Sequence, residues 1–181
     1  MQIATWNVNS LKVRLPQVLD WLNQHPEISA LAIQETKLED VNFPQAEIEA
    51  AGLHVAYAGQ KTYNGVAIIS RMPLSNITIN IPGLDDPQKR VIAANVGPIR
   101  LICVYVPNGQ ALDSDKYPYK LNWLASLTSW LATELKQHPR LALLGDFNIA
   151  PEDRDVHDPA KWEGQVLVSP PERAAWQTLL G

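Results

Sequence analysis

Apolar runs of strand length recur along this chain, at residues 3–8, 28–33, 65–70, 77–81, 91–96, 99–106 and 141–144. They constrain the fold more than any other feature, because a short apolar run bounded by turn residues is buried most simply as a strand. Helical periodicity lies between some of them. In "SLKVRLPQVLDWLNQHP", Leu11, Leu15, Val18, Leu19 and Leu22 mark one helix face. Ser10 is placed to cap it, Pro16 to bend its first turns, and His25-Pro26 to stop it. In "KYPYKLNWLASLTSWLATELKQHP", Leu121, Leu124, Leu127, Leu131 and Leu135 form a second stripe, with Trp123 and Trp130 as core residues. Early β-α-β alternation followed by clustered strands predicts a layered α/β (α+β) protein with mixed sheets. Residues 149–168 read as a long loop. In "SPPERAAWQTLLG", Ser169 caps a final helix whose apolar face is Ala175, Trp176, Leu179 and Leu180.

A chain of 181 residues with 46% hydrophobic and 19% charged residues reads as one globular domain over 1–181, without long disorder. The single cysteine, Cys103, lies in an apolar run, which leaves no disulfide framework or zinc site. "MQIATWNVNS" is not the pattern of a signal peptide, and no apolar run has membrane-spanning length. A cytoplasmic protein is expected. The net charge of −4 counts against a protein that coats nucleic acid, but not against an enzyme that grips it locally around an acidic metal site.

Polar residues repeatedly follow the apolar runs. Asn7 ends "IATWN", Glu35 ends "ISALAIQE", Tyr105 lies late in "IRLICVY", and Asp146 and Asn148 end "LALLGDFN". Loops beyond strand ends are where rigid sheets build sites. If the last strand runs past Gly145, Asp146 and Asn148 share one face, which suits a metal or a phosphate; the same pair equally suits a turn. Two acids, two amides and a phenol match Mg²⁺ or Mn²⁺ rather than a soft metal. His25, His54, His138 and His157 read as surface residues, and the acidic 152–158 stretch as a solvated loop. On spacing alone, a divalent-metal phosphodiester site stands beside blander readings for each residue.

The motifs "WNVNSLKVR", "IQETKLED", "GQKTYNGVAIISR", "QKRVIAANV", "VYVPNGQ" and "LLGDFNIAPEDRDVHDP", in this order, resemble exonuclease III-type apurinic/apyrimidinic (AP) endonucleases of the endonuclease/exonuclease/phosphatase superfamily. The resemblance runs from Met1 to Gly181. It implies a four-layer α/β/β/α sandwich with the site at one edge of the two sheets. By motif, Glu35 would be the main Mg²⁺ ligand, Mn²⁺ being a substitute, with Asn7 beside it. Asp146 would activate the attacking water, and Asn148 would hold that water or a phosphate oxygen; both count among the metal-site residues. Tyr105 would place its phenol against the scissile phosphate, Asn108 would contact phosphate, and Lys12, Tyr63, Asn64 and Arg90 would be lesser contacts on the DNA-facing rim. Asn9 stands where many relatives have Asp.

The implied activity is base-excision repair on double-stranded DNA: nicking 5′ to abasic sites and removing nucleotides or blocking groups from 3′ ends. A monomer without membrane association is expected. Relatives continue past the segment matching "PPERAAW" with a further catalytic Asp and a Ser-Asp-His motif that cannot be placed here. The resemblance therefore implies a C-terminal part absent from this sequence, impaired nuclease activity and exposed apolar sheet surface. The alternatives are a phosphodiesterase of the same superfamily acting on a non-DNA substrate, and an inactive scaffold or DNA-binding fragment.

Overall fold

A computed structural model of the chain describes residues 1–181 and contains two compact units. The first comprises residues 1–105 and 135–146, the second residues 106–134 and 147–181.

The first unit holds both sheets. Strands β1 (Gln2–Asn7), β2 (Ile28–Gln34), β3 (His54–Ala58) and β4 (Val66–Ser70) pair in the order β1-β2-β4-β3. Strands β5 (Leu74–Ile79), β6 (Val91–Val96), β7 (Ile99–Tyr105) and β8 (Leu141–Asp146) pair in their chain order. Each sheet is mixed. β1 and β2 are parallel, as are β7 and β8, and the other neighbours are antiparallel.

Period-2 geometry explains the two cores. On β2, Leu31 and Ile33 face one way and join Leu11, Leu15, Val18 and Leu22 of helix α1 (Leu11–Gln24) and Ile48 of α2 (Gln45–Ala50). Ala30 and Ala32 face the other way, into a layer between the sheets with Ala56, Ala58, Ile92, Ala94, Leu101 and Cys103. Buried Gln34 donates there to Thr5 Oγ1 at 3.0 Å and to Cys103 Sγ at 3.2 Å, so its amide is not left unpaired. Helices, sheet and sheet thus supply three layers of the sandwich that the family resemblance implies. The end strand β8 is half-buried along its whole length.

The second unit carries α3 (Lys116–Gln137) through residue 134, a short α4 (Pro159–Trp162) and α5 (Pro170–Leu180). Leu124, Leu127, Leu131, Trp123 and Trp130 are buried as expected, whereas Leu135 is exposed. Ser169 caps α5 through a capping box with Glu172. Ser10 does not cap α1 with its side chain. The orphan amides of Ser10 and Leu11 go instead to the carbonyls of Glu35 and Thr36, at 2.7 and 3.0 Å. No helix is long and apolar enough to cross a membrane.

Candidate functional site

Parallel pairing places the C-terminal ends of two strands side by side. In one sheet this brings Asn7, the last residue of β1, beside the end of β2, which Glu35 follows. In the other it sets Tyr105 opposite Asp146. The antiparallel strands β4 and β6 begin at these same ends. Asn64 and Gly65 therefore pair with Lys37 and Thr36 through backbone bonds of 2.9 and 3.1 Å, and the Tyr105 amide donates to the Arg90 carbonyl at 2.8 Å. Strand register thus makes two pairs, Asn7 with Glu35 and Tyr105 with Asp146, and the packing of the two sheets brings the pairs together.

At the centre, Asn7 Nδ2 donates to Glu35 Oε1 and to Asp146 Oδ2, each at 2.8 Å. Asn7 Oδ1 accepts from the Asn9 backbone amide at 3.1 Å, which orients Nδ2 toward the carboxylates. One amide group therefore separates two acids. No set of three His, Cys, Asp or Glu side chains that could hold a metal is present. Two carboxylates with neighbouring amides nevertheless fit a hard cation such as Mg²⁺, which takes one or two carboxylates and keeps several waters.

Burial alone would raise the Glu35 carboxyl. Hydrogen bonds from Asn7, Lys37 and Tyr105, with the Lys37 charge, outweigh it and leave the group below its ordinary value. Lys37 Nζ lies 3.1 Å from Glu35 Oε2 and also donates to Asn9 Oδ1 at 2.5 Å. Burial and the nearby Glu35 charge push the Tyr105 phenol up to about 12, so it keeps its proton and acts as a donor. Arg90 holds that ring. Its guanidinium carbon lies 4.8 Å from the ring centroid, Nη1 donates to the Tyr105 carbonyl at 3.1 Å, and Nε donates to Gln88 at 2.9 Å.

Gly145 shows why the sequence reads "GD". It takes φ +150, and a Cβ there would stand 1.9 Å from the Val104 carbonyl oxygen. The strand ends at Asp146. Asn148 adopts φ +48, so the shared strand face that the spacing allowed does not form.

The remaining residues divide between the units. Lys12 is exposed on α1, Tyr63 is 67% exposed, and buried Asn64 donates to Gln60 and Gln88 at 3.1 and 3.2 Å, tying two loops together. In the second unit, Asn108 Nδ2 donates to Asn148 Oδ1 at 3.1 Å, and Asn148 Nδ2 donates to the Val106 carbonyl at 2.9 Å. The sequence reading missed Lys37, although it stands two positions after Glu35 inside a quoted motif.

The profile of the Endonuclease/Exonuclease/phosphatase family matches residues 4–178. Exodeoxyribonuclease III of Haemophilus influenzae is 30% identical, the match covering 99% of this chain and 71% of that protein. Among solved structures, a Neisseria 3′ phosphatase bound to product DNA hairpin superposes with a TM-score of 0.97 at 50% identity, over 99% of this chain and 70% of that one. An AP endonuclease from Archaeoglobus fulgidus gives 0.94 at 37% identity, again over 99% and 70%.

Proposed function

This chain belongs to the Endonuclease/Exonuclease/phosphatase family, and we propose that it is a divalent-metal-dependent DNA-repair hydrolase that clears nucleotides or phosphate from 3′ ends and nicks duplex DNA 5′ to abasic sites. The observation that carries this reading is the Asn7 amide between Glu35 and Asp146 at the ends of parallel strand pairs. The relative at 50% identity is a 3′ phosphatase bound to a DNA product, whereas the AP endonuclease stands at 37%, so 3′-end cleaning is the leading activity.

A phosphoester resists attack because its anion repels hydroxide and its leaving group is poor. When bound, Mg²⁺, or Mn²⁺ in its place, would supply positive charge at the phosphate and at the leaving oxygen. Glu35 would be its main holder, Asp146 and Asn148 would contribute, and Asn7 spaces the two carboxylates. Asp146 takes the proton of the attacking water. Tyr105, still protonated and clamped by Arg90, donates to charge developing on the phosphate. Asn148 orients the water or a phosphate oxygen, and Asn108 contacts phosphate. Lys12, Tyr63 and Arg90 line the rim for the DNA backbone, and Asn64 sets the loop that carries Tyr63.

The test is phosphate release from a 3′-phosphorylated DNA hairpin with Mg²⁺, beside nicking of an abasic duplex and hydrolysis of RNA and lipid phosphoesters. Release from the hairpin that Asp146→Asn abolishes supports the reading. Turnover confined to RNA or lipid esters, or release that Asp146→Asn leaves unchanged, overturns it.

A further inference from the structure

The second unit contains an ion pair that the chemistry above does not use. Lys120 and Glu172 are both 0% exposed, and their side chains are bonded to each other. An ammonium has three hydrogens to place. Lys120 Nζ bonds Glu172 Oε1, the backbone carbonyl of Asn148, and the backbone carbonyl of Asn108 at 3.1 Å. Glu172 is equally engaged. Oε1 accepts from the Leu167 amide at 3.0 Å, and Oε2 accepts from the Ser169 amide and hydroxyl at 3.2 and 2.6 Å. Ser169 in turn lies 2.6 Å from the Tyr117 hydroxyl.

Two features separate this arrangement from ordinary core packing. A buried ion pair adds little net stability over apolar residues of the same volume, because desolvation offsets most of the attraction. And the pair's reach is specific: it fixes the backbone of the two asparagines whose side chains bond each other at 3.1 Å. Their loops need such a hold. Asn148 sits at φ +48, and Gly109 at φ +90, where an added Cβ would meet Lys120 Cδ at 3.2 Å and Tyr117 Cδ2 at 3.5 Å. The loop after β7 therefore lies directly on the Lys120 stem.

We infer that Lys120 and Glu172 are positioning residues that hold the Asn108–Asn148 side-chain pair in its working geometry. The activity part of this inference rests on the proposed function; the geometric part does not. The experiment compares wild type with Lys120→Met/Glu172→Leu and with Glu172→Gln. It measures Tm, kcat and KM on the 3′-phosphorylated hairpin, and the side-chain amide resonances of Asn108 and Asn148 in ¹⁵N-asparagine-labelled chain.

The double variant is expected to stay folded with a lowered Tm, because the Asn108 and Asn148 carbonyls and the Leu167 and Ser169 amides lose their partners. Its kcat should fall about 10²-fold with KM near wild type, as for groups displaced by about an ångström. Both side-chain amides should shift and exchange faster, and Glu172→Gln should move the same two resonances. Unmoved resonances in the folded variants overturn the inference, as does a kcat within about twofold of wild type. Loss of the folded state in both variants would make the pair structural and also overturn it. Turnover is expected to be low, as the resemblance implies; if wild type releases no phosphate above a protein-free blank, the proposed function fails, and the resonances alone decide the inference.

Discussion

At the Glu35–Asp146 corner, functional side chains leave the ends of strands, and the register of the parallel pairs sets where they stand. Their mutual bonds are short and between side chains, through a single amide. Asn108 and Asn148 sit in loops instead, with part of the backbone in the left-handed region, and a buried ammonium grips their carbonyls. Glu35, one residue past β2, also turns left-handed at φ +55, but its carbonyl is held by the Ser10 amide at 2.7 Å, so ordinary backbone pairing beside the sheet suffices to aim it. A loop that must aim an amide needs an anchor, and an anchor without water must itself be neutralised, which is what Glu172 does.

Substitutions at the strand ends therefore remove chemistry while leaving the sheets intact. Asp146→Asn should lower turnover on the 3′-phosphorylated hairpin by about 10²–10⁴ with unchanged circular dichroism. A fall of under tenfold, or a collapse of the spectrum, would break the contrast with the loops. Tyr105→Phe removes one donor and should cost about 10²–10³ in kcat, with KM little changed. A rise in KM alone would instead make Tyr105 a ground-state contact.

Smaller effects sharpen the same contrast through stability. The folded-state carboxyl of Glu35 lies below its ordinary value of 4.5, so its ionised form favours folding. That contribution is fully present above the unfolded value and fades as pH falls through the folded one. The Tm difference between wild type and Glu35→Gln, followed from pH 7 to pH 3, should therefore shrink toward the acid end. A difference that grows toward acid contradicts the assignment. The smallest effect concerns Cys103, which is 0% exposed and whose thiol burial pushes up to about 12. Iodoacetamide at pH 8 should leave the native chain unmodified by mass spectrometry and label it only after denaturation.

Much of this frame was legible in the sequence because β2, β4, β6 and β7 are almost wholly buried and read as continuous apolar runs. Weak signals were missed for physical reasons. In α2 only Ile48 is buried, so no periodicity exists to find. β3 is five residues long, with just Ala56 and Ala58 buried. β5 was expected at 77–81 but spans Leu74–Ile79; its outward face is largely exposed, and Asn80 turns to φ +63. The 149–168 loop holds a helical turn at Asp153–Asp155 and α4, both too short to show a pattern. At the site, Asn7, Glu35, Tyr105 and Asp146 announced themselves as polar residues closing apolar runs. Lys120 and Glu172 did not, since each reads as a solvated helix charge until residues 52 apart are brought together.

The central claim is that the Asn7–Glu35–Asp146 corner holds the divalent ion. It is tested most directly by adding substoichiometric Mn²⁺ to ¹⁵N-asparagine-labelled chain and following the Asn7 side-chain amide. That amide lies 2.8 Å from an oxygen of each carboxylate, so an ion held there must broaden it beyond detection. Wild type should lose that signal, and Glu35→Gln should recover it. An Asn7 amide that keeps its intensity, or broadens equally in Glu35→Gln, would contradict the central claim.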